Sequence, residues 1–373
     1  MNKKYEFYKL DKILQYEAQY NVIFGERSSG KTYAVKERII KNYLTTGKCG
    51  AYVRRWDDDI KGSRGDVLFD DMAEIIKKYS GGEWSQVAYY SRRWYMARYN
   101  QDTAKIEKDD KPFCYGFGLN VMEHDKSTSY PEVTTICFDE FLTRKNYLLD
   151  EFVIFMNVIS TIARHRLDIT IFMLGNTVNK YCPYFKEMGL TNVKNMKQGT
   201  IDLYEYGDSK LRVAVEYTGN DTSGSKKSNT LFAFDNPKLK MVTHGNWEID
   251  IYPHLPFRYL PKNIIFSFFV SFDGEIIQGD IIHGGYKKQG ENIIDIDNVP
   301  IIYFHRKTSE IKNIEKDYIF SLNTTRFINW HKSILRPTDK IGIKIKKLFD
   351  LHKVFYQDNE VGEIINNFNK QSM

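Results

Sequence analysis

Apolar residues fall along this chain in two rhythms. Through the first half, short and nearly continuous apolar runs at 21–24, 50–56, 134–138 and 169–174 alternate with longer segments of helical character. Runs this short and this uniformly apolar read as strands of a parallel sheet covered on both faces. Between them, 31–44 carries Ala34, Val35, Ile39 and Ile40 on a partial apolar face and reads as a helix, as do 70–79 and 151–164. Two aromatic, alternating stretches at 86–99 and 112–119 read as antiparallel strands. From Gly199 the rhythm changes. Segments 200–206 and 210–217 alternate polar and apolar residues like antiparallel strands, and 219–228 is rich in Gly, Ser and Lys, as a linker or exposed loop would be.

Three segments follow from that reading. Residues 1–198 form an α/β domain, 199–228 a strand-rich linker, and 229–373 a smaller α+β domain. The last opens with a hairpin, 264–272 and 275–282, whose Asp273-Gly274 turn supplies the positive φ of a tight connection. Its end, 311–368, reads as mainly helical.

Composition changes this picture little. With 42% apolar and 15% aromatic residues the chain reads as globular apart from short loops. A net charge of +6, from 54 basic and 48 acidic residues, admits a polyanionic partner only if the charge is clustered. Cys49, Cys114, Cys137 and Cys182 form no CxxC pair, which points to a reducing compartment and no structural metal. The first residues are of mixed charge rather than apolar, so no secretory signal is expected, and the most apolar run, 264–272, falls far short of the ~20 residues that span a bilayer. The expectation is a soluble, cytoplasmic protein.

The chemistry sits in the first half. Gly25-Glu26-Arg27-Ser28-Ser29-Gly30-Lys31-Thr32 matches G-x-x-x-x-G-K-[ST], with a strand before it and a helix after it. In such a loop consecutive N–H groups converge on phosphate oxygens. Lys31 then brings a charge to the β- and γ-phosphates, and Thr32 offers a hydroxyl to Mg²⁺. The loop is therefore expected to bind Mg-ATP. The apolar strand at 134–138 ends in Asp139 and Glu140. Asp139 suits the surroundings of the metal, and Glu140 is the candidate base that polarises the attacking water. Asn176, at the end of the next apolar strand, is the candidate γ-phosphate sensor. Arg164-His165-Arg166 follows a helix. By spacing alone it reads as a cationic helix end, although an arginine there could also enter a neighbour's site.

Taken in order, several features resemble the DNA-packaging ATPases of phi29-like short-tailed phages: Arg27 inside the glycine loop, Tyr52-Val53-Arg54-Arg55, Lys126-Ser127, Tyr130-Pro131, Phe138-Asp139-Glu140-Phe141, Arg164-x-Arg166 and Asn176. The match covers about the first half and weakens beyond Ser228. The resemblance implies a P-loop additional-strand ATPase that forms a ring, in that family a pentamer, on the portal of an empty capsid in the host cytoplasm. There it drives double-stranded DNA inward. It also implies that Arg164, with Arg166 as the alternative, acts on a neighbouring subunit's nucleotide, and that Lys126 reaches the same place. Related large terminases carry an RNase-H-like nuclease as their second domain. Here Asp273 falls on a turn, and Asp280, Asp295 and Asp297 show no clear spacing, so the resemblance implies a vestigial nuclease fold. Lys344, Lys346 and Lys347 around Ile345 are a candidate patch for DNA or a packaging RNA. A helicase or cellular DNA translocase would share the nucleotide site, and a nucleotide-switched scaffold would share the loop without needing Glu140.

Overall fold

The computed structural model describes residues 7–124, 128–145, 147–219, 247, 250–255, 259–283, 299–306 and 310–373. The chain divides into two compact units, Met1–Glu248 and Ile249–Met373.

The first unit is built on a ten-stranded sheet. Its strands are β1 (Tyr20–Gly25), β2 (Cys49–Arg54), β3 (Gln86–Tyr90), β4 (Arg93–Asn100), β5 (Lys105–Lys108), β6 (Cys114–Gly118), β7 (Val133–Asp139), β8 (Thr170–Asn176), β9 (Thr200–Tyr206) and β10 (Leu211–Tyr217). Their order is β3-β4-β6-β2-β7-β8-β1-β10-β9, with β5 on β4. The run from β6 to β10 is parallel, while β3, β4, β5 and β9 pair antiparallel. The sheet is thus mixed, with a parallel centre.

Both faces of that centre are buried, which explains the uniformly apolar strands. Successive side chains point to opposite faces. Val22, Phe24 and Val53 join Phe138, Phe155 and Tyr184 in one core. Ile23 and Tyr52 join Val35, Ile39, Phe69 and Trp94 in the other. The described α-helices of this unit are α1 (Asp11–Leu14), α2 (Lys31–Thr46), α3 (Gly62–Asp66), α4 (Ala73–Tyr79), α5 (Glu151–Ala163) and α6 (Pro183–Glu187).

The expected linker at 199–228 is corrected over 199–219, and 220–228 lie outside the described residues. Strand β10 pairs with β1 in parallel, and β9 closes the sheet edge beside it. Val213, Ala214 and Val215 are buried against β1, whereas the edge strand β9 alternates exposed and half-buried residues. That edge pattern is what reads as a separate unit in the sequence. The first unit therefore extends past residue 198.

The second unit holds a six-stranded sheet in the order β15-β14-β11-β12-β13-β16. The strands are β11 (Ile264–Phe272), β12 (Glu275–Ile282), β13 (Ile301–Arg306), β14 (Tyr318–Ser321), β15 (Trp330–His331) and β16 (Val354–Tyr356). Strands β11, β12 and β13 are antiparallel neighbours, and β14 runs parallel to β11. The hairpin is as expected: Phe272 faces Glu275 across Asp273 (φ 53°) and Gly274 (φ 80°). The tail is not mainly helical. It supplies β14, β15 and β16 besides helices α7 (Lys340–Asp350) and α8 (Asn359–Gln371). Strands of two to four residues are too short to display a period. Among the described residues no helix is long and apolar enough to cross a membrane.

Candidate nucleotide site

Strand β1 delivers the glycine loop. Gly25 pairs with Asn176, the last residue of β8, and Thr177 N–H donates to Gly25 O at 3.2 Å. The loop turns at Ser28 (φ 58°) and Gly30 (φ 95°) before α2 begins at Lys31. Gly30 is needed for its φ, which strains any other residue, and a Cβ there would make a tight 3.1 Å approach to Phe7 Cβ. The loop amides and the start of α2 together form an anion cradle.

Lys31 is buried, and its Nζ donates to Glu26 O at 2.6 Å and Ser29 Oγ at 3.1 Å. Burial brings its pKa down to about 8, against the opposing pull of Asp139 and Glu26.

Strand β7 lies between β2 and β8, so Asp139 and Glu140 emerge beside the loop at the carboxyl ends of the strands. Asp139 Oδ1 accepts from Thr32 Oγ1 and from Glu140 N–H, both at 3.1 Å. Its Oδ2 accepts from Arg54 Nη1 at 3.0 Å and from the Tyr52 hydroxyl. Burial and the adjacent Asp139 push the Tyr52 pKa far up, which keeps that phenol a donor. Glu140 takes a positive φ of 60° and holds its carboxylate 60% exposed, with Arg54 Nη2 at 2.8 Å. Residues 28–33, Asp139, Glu140 and 174–176 line a cleft of 280 Å³. Arg27 is exposed on the loop.

The Thr32 hydroxyl and the Asp139 carboxylate are hard oxygen donors. Among the described residues no group of three or more His, Cys, Asp or Glu could hold a metal. That sparse oxygen set fits Mg²⁺, which keeps waters and takes the rest of its shell from phosphates.

Arg164 lies outside this cleft. It caps the C-terminus of α5 at φ 51°, is exposed, and has Nη2 3.4 Å from Thr128 O. Arg166 turns inward instead and donates to Val133 O at 2.6 Å, Ile162 O at 3.2 Å and Tyr130 O at 3.3 Å. It also pairs with Asp168 at 3.2 Å. Lys126 lies outside the described residues.

Sequence reasoning assigned no role to the residues that hold the acidic pair. Tyr52 and Arg54 share one face of β2, while Arg55 follows Val53 to the other. Two consecutive arginines after a buried strand are the signal that could have found them.

In the second unit, Asp280 is 1% exposed. It accepts from Ser267 Oγ at 2.6 Å, Tyr259 hydroxyl at 2.7 Å, Gln278 Nε2 at 2.9 Å and His305 Nε2 at 3.0 Å. Burial alone would raise its pKa, but these donors prevail and hold it at about 2. Asp273 is the hairpin turn, and Asp295 and Asp297 lie outside the described residues. On α7, Lys344 and Lys347 are exposed, Ile345 is buried, and Lys346 pairs with Asp350 at 2.6 Å.

The DNA packaging protein of Bacillus phage phi29 is 29% identical over 208 residues, covering 54% of this chain and 57% of that protein. The chain thus matches little more than half the length of that relative. The fold is similar to that in the bacteriophage Phi-29 viral genome packaging motor assembly (TM-score 0.57, 20% identity, 98% of this chain and 99% of that one). It is also similar to the Phi-28 gp11 DNA packaging motor (TM-score 0.52, 18% identity, 99% and 97%). A family model described as Podovirus DNA encapsidation protein (Gp16) matches residues 1–220, more than half of the chain, and the protein belongs to that family.

Proposed function

We propose that this protein is the ATP-hydrolysing motor that drives double-stranded DNA into a preformed capsid, working as a homo-oligomeric ring, in this family a pentamer, on the capsid portal. One observation carries the reading. The glycine loop, Asp139–Glu140 and Asn176 stand at the carboxyl ends of adjoining strands around one cleft. Family membership supports DNA as the substrate of the work, and duplex is the form proposed here. A packaging RNA is a further partner in this reading, with the lysines of α7 as a contact for either nucleic acid.

In this reading the amides of 28–32 and Lys31 bind the ATP phosphates, and Thr32 with Asp139 would hold Mg²⁺, which neutralises phosphate charge. Glu140 takes the proton of the attacking water once it leaves Arg54, and Asn176 orients that water at the γ-phosphate. Arg164, exposed where Arg166 is not, is the residue presented to another subunit, with Lys126 in the same service. The second unit is an RNase-H-like fold without nuclease activity. The order β13-β12-β11-β14-β15, three antiparallel strands followed by parallel ones, supports the fold. The full hydrogen bonding of Asp280 supports the missing activity.

The test is ATP turnover of the full chain with and without duplex DNA, alongside Lys31→Ala. Stimulation by duplex without strand separation, and loss of ATP binding in the variant, are expected. Strand separation would instead favour a helicase, and negligible turnover a nucleotide-switched scaffold.

A further inference from the structure

Where Arg54 holds the side chains of the acidic pair, Arg55 holds the backbone behind it. Arg55 and Glu151 are both buried, at 7% and 2% exposure. Arg55 Nε donates to Glu151 Oε2 at 2.7 Å and Nη2 to Oε1 at 2.9 Å, a two-pronged pairing. The same guanidinium donates to Glu140 O at 3.2 Å and Phe141 O at 2.7 Å. Glu151 also accepts from the Tyr184 hydroxyl at 2.9 Å and from Leu148 N–H at 2.8 Å.

Glu151 is the first residue of α5, and Arg164 follows its last. An α-helix of that length is a rod of ~20 Å. The residues on either side of it, Asp150 and Arg164, both have positive φ, so the rod is set off from the chain at each end. One ion pair therefore joins the backbone of Glu140 to the near end of the element whose far end carries the exposed arginine.

We propose that the Arg55–Glu151 pair is a positioning link: it fixes where Glu140 stands in its own site and, through α5, where Arg164 is presented to another copy of the chain. This rests on the ATPase reading given above. A displacement of Glu140 or Phe141 that accompanies nucleotide turnover would move Arg55, and with it the base of α5. Neither residue touches the cleft, so its effect falls on turnover rather than on ATP binding.

The experiment uses Glu151→Gln and, as a variant that keeps every ring in place, Tyr184→Phe, which removes only the hydroxyl from Glu151. Misplacement of reacting groups by about 1 Å can cost about 10²-fold in rate. A fall in kcat approaching that size is expected for Glu151→Gln and a smaller one for Tyr184→Phe, with ATP affinity within about twofold of wild type. The Glu151→Gln change should also cost less in an Arg164→Ala background, where only its effect through Glu140 remains. A merely structural role predicts equal losses in both backgrounds, and that result, or wild-type kcat in both single variants, overturns the proposal. Failure of the wild type to bind ATP would remove the ATPase reading and this link together. Normal wild-type turnover with unaffected variants would remove the link alone.

Discussion

Asp139 closes β7 in the first unit and Asp280 lies within β12 of the second, and each accepts hydrogen bonds from four described groups. What separates them is where those donors are attached. Around Asp139, the Thr32 hydroxyl belongs to the first turn after the phosphate loop, and Arg54 is shared with Glu140. In the proposed reading both exchange partners when an anion and a metal enter the adjoining cleft. Around Asp280 the donors come from its own strand, the neighbouring strands and Tyr259, and His305 directs its other nitrogen to Arg306 O at 2.8 Å. Nothing there leads to a phosphate loop. A buried carboxylate with exchangeable partners is poised for chemistry, whereas one with fixed partners is a structural hub.

On that contrast, changes in the nucleotide site or in the arginine presented to a neighbour's site alter turnover and spare the fold. Arg164→Ala is expected to have the largest effect, a loss of about 10³-fold in kcat with ATP binding retained, as for other arginines that act on a neighbour's phosphates. Mixed with Lys31→Ala, it should recover activity above the sum of the two, because some interfaces pair an intact loop with an intact arginine. Strict additivity in rings shown to mix would confine Arg164 to its own subunit. Glu140→Gln should bind ATP normally and turn over about 10²-fold more slowly, the contribution of a positioned base. A change within threefold or so, typical of a bystander, would place the base elsewhere.

The contrast was only half legible in the sequence. The glycine loop and the strand ending in Asp139-Glu140 stand out because phosphate binding needs particular residues at fixed offsets. Arg54, Arg55 and Glu151 do not, since their partners lie about a hundred positions away and no local rule pairs them. Strand β10 was legible as a strand antiparallel to β9, but its parallel place beside β1 was not, for a related reason. Its neighbour β1 comes nearly two hundred residues earlier, so sequence shows only the alternation of the hairpin it makes with β9. In the second unit the turn at Asp273-Gly274 was legible because it is local. The saturation of Asp280 was not, because three of its four donors lie on other segments.

Changes at Asp280 should do the reverse of those at Glu140. Asp280→Ala strands four donors, one of them on the buried His305, and leaving buried donors unsatisfied costs about 1–3 kcal/mol. Thermal unfolding of the second unit should move down accordingly, while ATP turnover at a temperature where the variant is folded stays at the wild-type rate. Because the Asp280 pKa is depressed from 3.8 to about 2, its contribution is complete above the ordinary value and lost as pH falls through the folded one. Acid titration of stability between those two values should therefore be steeper in wild type than in Asp280→Ala. Metal-dependent cleavage of duplex DNA that vanishes in this variant would show that Asp280 is not a hub at all.

The smallest effect concerns Lys31, and it tests whether the nucleotide side really exchanges partners. Burial outweighs the pull of Asp139 and Glu26 and lowers its pKa to about 8. The ammonium is satisfied by Glu26 O and Ser29 Oγ, neither of which carries a full charge. ATP phosphates placed against Lys31 favour the charged form, so its pKa must rise on binding. Binding then takes up a proton wherever the empty protein has already lost it. ATP affinity should be flat below about pH 8 and fall by up to about tenfold per pH unit above it, the limit for one linked proton. Equilibrium binding of ATP measured from pH 7 to 9.5, with proton uptake followed by calorimetry in buffers of different ionisation enthalpy, reads both quantities. Replacing Lys31 by Arg, which stays charged across that range, should remove the slope even if it weakens binding overall. An affinity that stays level up to pH 9.5 in the wild type would mean that Lys31 keeps its proton in the empty cleft, and that its bonds to the loop are already as good as those it would make to phosphate.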